Sequence, residues 1–584
     1  MRLVAINIDG HSIQVPSGTT ILEAAESVDI HIPTLCHFDD VAPTGFCRVC
    51  VVEVDGQSKL LPACTLHAKD GMVIKTRTPN VVASRRMSVE MLVAQHPMHC
   101  LTCYRNGKCD LQTLARQFGL QDSRFFTHAP DTGAEDAPLL PIDDHGPAIV
   151  HDPNMCILCG LCIEACRTMQ GVDVIDFAGR GYRRTVECAF GQSLGDVECT
   201  SCGQCIQLCP TQSYYEKNDL AVVREALQDE AAFVVALLAP TVGVSIGEEF
   251  EQNSGMALNQ NIVASLKAIG FDRVFDTAVG ADVVILEESY ELLTRVKAGK
   301  RLPMFSSSSP AMVKYMEHFY PNRLGLLSSC KSPAQALASL IKSYYAKEAN
   351  LQPENVFIVS LTPCTAEKFE RTRPEMVSEG HTVVDACLTT KELATLLKGT
   401  VGDAMLSMPP EPYDAPFHAA SGAGIIWGAA GGMAEGVMRT FYELFTKKKL
   451  AALEFENLRE PKRFHDIHLK MGQETIRLAI LHGTGQIPEL MESLASGSKT
   501  YHYIDIKGCP LGCLRGGGEP LPCTTEDVLA RGRALYELDQ RQEVRKAHES
   551  QVVKQLYDQF LKKPASKTAQ KFIHTKFIQR QRFL

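Results

Sequence analysis

The chain has 584 residues, a formal net charge of −9 and 45% hydrophobic content, enough for several folded domains and without the basic surplus that nucleic acid would require. Its best apolar run, "AAFVVALLAPTVGVSI" (231–246), is too short to cross a bilayer and contains a proline. The N-terminus "MRLVAINIDGHSI" alternates like a strand and lacks an apolar signal core, so the expectation is a cytoplasmic protein with no membrane partner.

Cysteine is the informative residue. There are 22, and 16 of them precede residue 210. With no export signal to favour disulfides, their spacings point to metal ligation.

Residues 1–80 are predicted to form strand, turn, strand ("LVAINIDGHSIQV"), then a helix ("TTILEAAESV"), then a cysteine-bearing loop. Cys36, Cys47, Cys50 and Cys64 are spaced C-x10-C-x2-C-x13-C. Two close thiolates grip one iron and two distant ones close the site, as a [2Fe–2S] cluster requires. The pattern resembles plant-type ferredoxin with a longer first gap, and the β-grasp pattern before it favours this over zinc.

Residues 81–125 carry "HPMHCLTCYRNGKC", in which His96, Cys100, Cys103 and Cys109 form H-x3-C-x2-C-x5-C. This resembles the [4Fe–4S] site with one histidine and three cysteines found in iron-only hydrogenases and in the large peripheral subunit of respiratory complex I. His99 is also available; His96 is preferred for its spacing. Residues 145–218 hold two C-x2-C-x2-C-x3-C runs, the two-cluster bacterial ferredoxin pattern, in which the fourth cysteine of each run serves the other cluster. One [4Fe–4S] set is then Cys156, Cys159, Cys162 and Cys209, and the other Cys199, Cys202, Cys205 and Cys166. Cys188 is expected to be a bystander. Four such clusters in series form an electron wire.

From residue 225 to 540 strands and helices alternate ("AAFVVALLAP", "VASLKAIGF", "RVFDT", "ADVVILEESYELLTRVKAG"), predicting an α/β domain. No phosphate-binding loop is present. "SGAGIIWGAAGG" has the wrong glycine spacing for a dinucleotide fold, so the chain is expected to bind neither nucleotide nor flavin itself. In "PMFSSSSPAM" (303–312), Ser309 suits a helix N-cap and Pro310 the first helical position. Residues 541–584 are expected to be helical, turning basic from Lys562 with seven Lys or Arg and no acid; a solvated tail is the default reading.

"PMFSSSSPAM", "LTPCTAEKFE" (361–370) and "GCPLGCLRGGGEP" (508–520) resemble the three signature segments of the [FeFe]-hydrogenase family, and with the N-terminal motifs the resemblance covers nearly the whole chain. It implies a hydrogenase-like α/β core whose active site is a [4Fe–4S] cube bridged by one cysteine to a di-iron subsite. Cys364, Cys509 and the bridging Cys513 are kept. The fourth ligand and the proton-relay cysteine fall on Ser309 and Ser308. The family's cyanide-binding lysine falls on Glu367, with Lys368 pointing elsewhere, and two packing methionines fall on Thr362 and Lys507. Glu288, Glu291, Arg295 and Ser328 match the family's proton path, although the 3 and 4 spacing of the first three also predicts an ordinary Glu–Arg pair on one helix face.

The expectation is therefore a fourth [4Fe–4S] cube in the core without a di-iron subsite, with Cys330 or Ser309 as the fourth ligand. Cys330 is favoured because a soft thiolate suits iron–sulfur chemistry better than a hydroxyl. The leading functional reading is an iron–sulfur electron-transfer subunit of a soluble oxidoreductase complex. Its expected partners are a flavin- and NAD(P)-binding subunit, a small [2Fe–2S] subunit and ferredoxin, as in an electron-bifurcating transhydrogenase. The alternatives are an active [FeFe]-hydrogenase with an altered site and a redox or hydrogen sensor, the latter without a visible signalling module.

Overall fold

The computed structural model describes residues 2–581 apart from 98, 121–122, 126–139 and 461. Parts of the 81–125 region and the last three residues of the tail therefore lie outside the described residues.

The predicted β-grasp pattern is present. Strands Leu3–Ile8 and His11–Pro16 pair antiparallel, and strand Val73–Lys75 joins them to Val51–Val54 and Leu61–Pro62 in a five-stranded sheet. Helix Ile21–Glu26 starts at a capping box in which Thr20 and Glu23 satisfy each other's backbone N–H groups. It buries Ile21, Leu22 and Ala25 against Ile6, Ile8, Val52 and Ile74. Helices Pro79–Ala94 and Asp110–Gln117 flank the second cysteine group.

The ferredoxin region is a sequence repeat written into backbone geometry. Leu158 and Ser201 both have positive φ (57° and 59°), and each donates its N–H to the cysteine two residues earlier, at 3.4 Å. Gly160 and Gly203 follow in the left-handed region and open short helices Leu161–Glu164 and Gln204–Leu208. At Gly203 the missing side chain also matters for assembly. An added Cβ would lie 2.5 Å from Thr365 Oγ1 and 2.7 Å from Gly517 Cα, so only glycine lets the ferredoxin loop close onto the core.

The core contains two four-stranded sheets. One is all parallel, in the order Arg273–Asp276, Phe233–Leu238, Val356–Thr362, Ala386–Thr389. The other runs Met304–Phe305, Tyr503–Lys507, Glu474–His482, Phe464–Met471, with only the last pair antiparallel. The long helix Thr277–Ala298 is buried along most of its length and packs against helices Pro333–Leu340 and Gly432–Thr446. Three parallel strands end just before the key residues of the three signature segments: Phe305 before the serines, Thr362 before Cys364 and Lys507 before Cys509. The site thus lies at the carboxyl ends of strands, the usual location in α/β folds.

The tail departs from expectation. Val553, Leu556, Leu561, Ala569, Phe572 and Ile573 are buried in the main core cluster. Two of its basic residues pair with acids of the core, Arg580 Nε 2.8 Å from the buried Glu317 Oε2 and Lys571 Nζ 2.6 Å from Glu379. A count of charges hid the apolar residues between them, which supply the driving force for packing. Among the described residues, no helix is long and apolar enough to cross a membrane.

Candidate metal centres

Cys36, Cys47, Cys50 and Cys64 are all buried, with Cys47 N 3.4 Å from Cys36 Sγ and the Cys50 and Cys64 sulfurs 3.4 Å apart. The crowding divides each pair. Hydrogen bonding from Cys47 pulls the Cys36 thiol down to about 5 while Cys47 is pushed up, and Cys64 likewise lowers Cys50 to about 7 while its own thiol rises. Four soft donors held this close fit a cationic iron centre, which stabilises all four as thiolates.

His96, Cys100, Cys103 and Cys109 line one cavity of about 190 Å³, together with His99. His96 Nδ1 is buried without a hydrogen-bond partner, an orphan that a metal would satisfy. Burial lowers the His96 pKa, keeping the ring in its neutral, ligating form.

The thiols of the two runs act on one another across the runs. Beyond burial, Cys209 raises Cys156, Cys159 and Cys162, the first of these to about 11. Cys166 is raised first by burial and then by Cys199 and Cys202. Cys188 belongs to the hairpin strand Thr185–Cys188 and to neither ligand set.

The centres are not arranged in a single series. Thr44 Oγ1, from the loop of Cys36 and Cys47, donates to Cys159 O at 2.9 Å, and Cys36 raises the Cys159 thiol. The histidine-bearing group reaches the same place: Arg105 donates to Cys209 O at 2.5 Å, and Cys109 Sγ lies 3.7 Å from Pro210 O. Both N-terminal groups therefore meet at the Cys156 set, and the linear arrangement expected from chain order is replaced by a fork. Beyond it, Cys509 Sγ lies 3.9 Å from Cys202 O, joining the second ferredoxin set to the core.

In the core, Cys364, Cys509 and Cys513 line one small cavity of about 20 Å³ with Cys202, Ser308, Ser309, Glu367 and Trp427. Burial raises all three thiols, Cys513 to about 11 with Lys507 opposing. Three converging soft donors fit a cubane. Ser309 occupies the N-cap of helix Pro310–Phe319, yet its hydroxyl caps nothing and instead accepts from Gly508 N at 3.0 Å. Cys330, favoured from sequence as the fourth ligand, is not in this lining. Its sulfur lies 4.0 Å from His574 Nδ1, in a group with Glu291. Geometry thus favours Ser309 over Cys330 at the core site, because the strand-end loop carries Ser309 to the cavity while Cys330 pairs with the C-terminal segment.

The surrounding charges differ from a simple inversion. Glu367 accepts from Ser360 Oγ at 2.8 Å and Thr362 Oγ1 at 2.9 Å, and burial pushes its carboxyl up to about 7. Lys507 is buried, donates to Ser308 Oγ at 3.1 Å and lies 5.5 Å from the Trp427 ring centre. Glu367 and Lys507 act on the same thiol, Cys513, in opposite directions. Residues read one position at a time concealed this pairing of charges. Lys368 points away, to Cys387 O and Glu392. Arg295 and Glu291 form the predicted helix pair at 2.5 Å, and Glu288 instead accepts from Ser306 and Tyr503.

Fold, ligand sets and converging core cysteines define an iron–sulfur protein of hydrogenase type. Family models agree along the chain: a 2Fe-2S iron-sulfur cluster binding domain at 1–79, the NADH-ubiquinone oxidoreductase-G iron-sulfur binding region at 85–124, and a 4Fe-4S dicluster domain at 144–213. The iron only hydrogenase large subunit, C-terminal domain, matches 232–517, and the iron hydrogenase small subunit matches 525–580. The chain is 37% identical to the NADP-reducing hydrogenase subunit HndD of Solidesulfovibrio fructosivorans, over 100% of both chains. It is 31% identical to iron hydrogenase 1 of Clostridium pasteurianum over 99% of this chain and 100% of that one. The solved [FeFe]-hydrogenase HydA1 from Chlamydomonas reinhardtii superposes with a TM-score of 0.55 at 30% identity, covering 61% of this chain and 98% of that one. This chain belongs to the [FeFe]-hydrogenase large-subunit family.

Proposed function

We propose that the chain is the iron–sulfur electron-transfer subunit of an NADP(H)-linked oxidoreductase complex, without hydrogen chemistry of its own. The observation that carries this reading is the core cavity. Serine hydroxyls of Ser308 and Ser309 face it where the family resemblance expects two cysteines, and Ser308 is already engaged by Lys507 and Ser306. Iron–sulfur clusters supply one-electron transfer. The chain's own part is to hold thiolates in forked order and to keep the core dry. Cys364, Cys509 and Cys513, with Ser309 at the fourth corner, are the residues for a core [4Fe–4S] cube. The whole-length similarity to a subunit of an NADP-reducing hydrogenase supports a flavin- and NAD(P)-binding partner, a small [2Fe–2S] partner and ferredoxin. A ferredoxin-linked transhydrogenase fits these partners.

The same similarity favours a second reading, an active hydrogenase with an altered site. Attempted maturation with a synthetic di-iron complex separates the two. The proposal expects no infrared bands from bound CO or cyanide and no hydrogen from reduced viologen; either signal overturns it. Iron analysis adds a second readout, with about 14 irons for the N-terminal sets, about 18 with a core cube and about 20 with a di-iron subsite.

A further inference from the structure

Behind the serine loop, away from the core cavity, three chemically unlike donors converge from distant parts of the chain. Glu291 comes from the long helix, Cys330 from the loop after Leu327, and His574 from the C-terminal segment. Their ligand atoms lie within 4.8 Å of one another. We propose that these three residues bind a single zinc ion that fastens the C-terminal segment to the core.

The donor set suits that ion. Thiolate, imidazole and carboxylate are the common zinc ligands, and four-coordinate geometry needs one more group. Tetrahedral angles with ordinary Zn–S and Zn–N lengths place sulfur and nitrogen about 3.6 Å apart. Cys330 Sγ and His574 Nδ1 stand at 4.0 Å, so a small closure completes the pair. One thiolate and one carboxylate cancel the ion's two charges, which matters because Cys330 is fully buried.

The surroundings are those of a prepared site. His574 Nε2 lies 3.2 Å from Glu287 Oε2, the carboxylate–imidazole contact that fixes the tautomer and turns Nδ1 towards a metal. Glu287 is in turn held by the Tyr557 hydroxyl at 2.6 Å and Ala565 N at 2.8 Å. Arg295 takes Glu291 Oε1, leaving Oε2 facing Ser328 and Ser329. Ser329 Oγ bridges Glu291 Oε2 at 3.1 Å and His574 Nδ1 at 2.8 Å, and so marks the place of the fourth ligand. Glu291 and His574 also line a cavity of about 840 Å³, through which an ion and water can enter. The backbone is already in register, with Lys331 N donating to Ile573 O and Thr575 N to Ser329 O, both at 2.8 Å.

The test uses the full chain, purified anaerobically with its iron–sulfur clusters, incubated with zinc chloride and desalted. Zinc and iron are counted together, and absorption at the zinc edge reports the ligands. The expected result is about one zinc per chain with one sulfur in its first shell. Cys330→Ser and His574→Ala should each lose that zinc with iron unchanged, and Glu287→Gln should weaken zinc binding by about 10-fold or more. Zinc retained by both ligand variants, or a zinc edge without sulfur, overturns the site. So does loss of iron in Cys330→Ser, which would return Cys330 to a cluster. If Cys330→Ser does not fold, Glu291→Gln gives the same zinc and iron readout.

Discussion

The first 215 residues and the core solve the same chemical problem in opposite ways. In the N-terminal region the expected ligands of each set are mostly local in sequence, and in the first set the Cys50 and Cys64 sulfurs stand 3.4 Å apart. In the core the three cysteines come from segments 364 and 509–513, and polar groups surround them: Ser308, Ser309 and the buried Glu367, with Lys507 bonded to Ser308. Local spacing is robust because the ligands travel together. A site assembled from strand ends depends on neighbours that spacing does not record, as the contact of Lys507 with Ser308 shows.

The sharpest way to break the contrast is at the fork. Cys209→Ala should remove one cluster, about four irons, and disconnect both N-terminal groups from the core. Freeze-quench EPR after reduction by a partner should then show the N-terminal signals reduced while the core stays oxidised; unimpaired core reduction would show that electrons bypass the Cys156 set. At the junction itself, Gly203→Ala puts a methyl against Thr365 and Gly517 and strains a φ of +72°. A loss of about 1–3 kcal/mol is expected, read as a lower thermal midpoint.

A pH experiment separates the two halves by the direction of their titrations. Burial raises Glu288 to about 7, whereas Arg124 holds Glu90, in the N-terminal half, at about 2. A carboxyl raised on folding binds its proton more tightly in the folded state, so its stabilisation is full below the unfolded value and lost as pH rises through 7. Glu288→Gln should therefore flatten the fall in core stability between about pH 5 and about pH 8, an effect of about 2–3 kcal/mol. A slope unchanged in the variant would remove Glu288 from this account. The smallest effect expected is at the histidine ligand. His96→Ala should perturb one [4Fe–4S] EPR signal and His99→Ala none; equal effects would dissolve the distinction between them.

Much of this molecule is legible from its cysteines. Their spacing named the N-terminal cluster types, and periodicity located the core's strands and long helix, because burial imposes those patterns directly. The fork was not legible: Thr44 meeting Cys159 and Arg105 meeting Cys209 are contacts between loops, which no spacing records. Cys330 misled for a related reason. Thiolate chemistry made it an attractive core ligand, but the Cys330–His574 bridge that turns it elsewhere joins residues 244 positions apart. The tail misled through composition, since Lys571 and Arg580 pair with acids distant in sequence and apolar residues lie between the charges.

That tail has a consequence for how the protein is made. A ribosome releases the N-terminal half long before residues 552–573 exist, and N-terminal domains fold first during synthesis. The β-grasp and ferredoxin regions carry their expected ligands within their own segments. The core cannot close, since Phe572 and Ile573 are part of its interior alongside Val279 and Leu337. The interior of the core is thereby completed only once the last segment of the chain has been made.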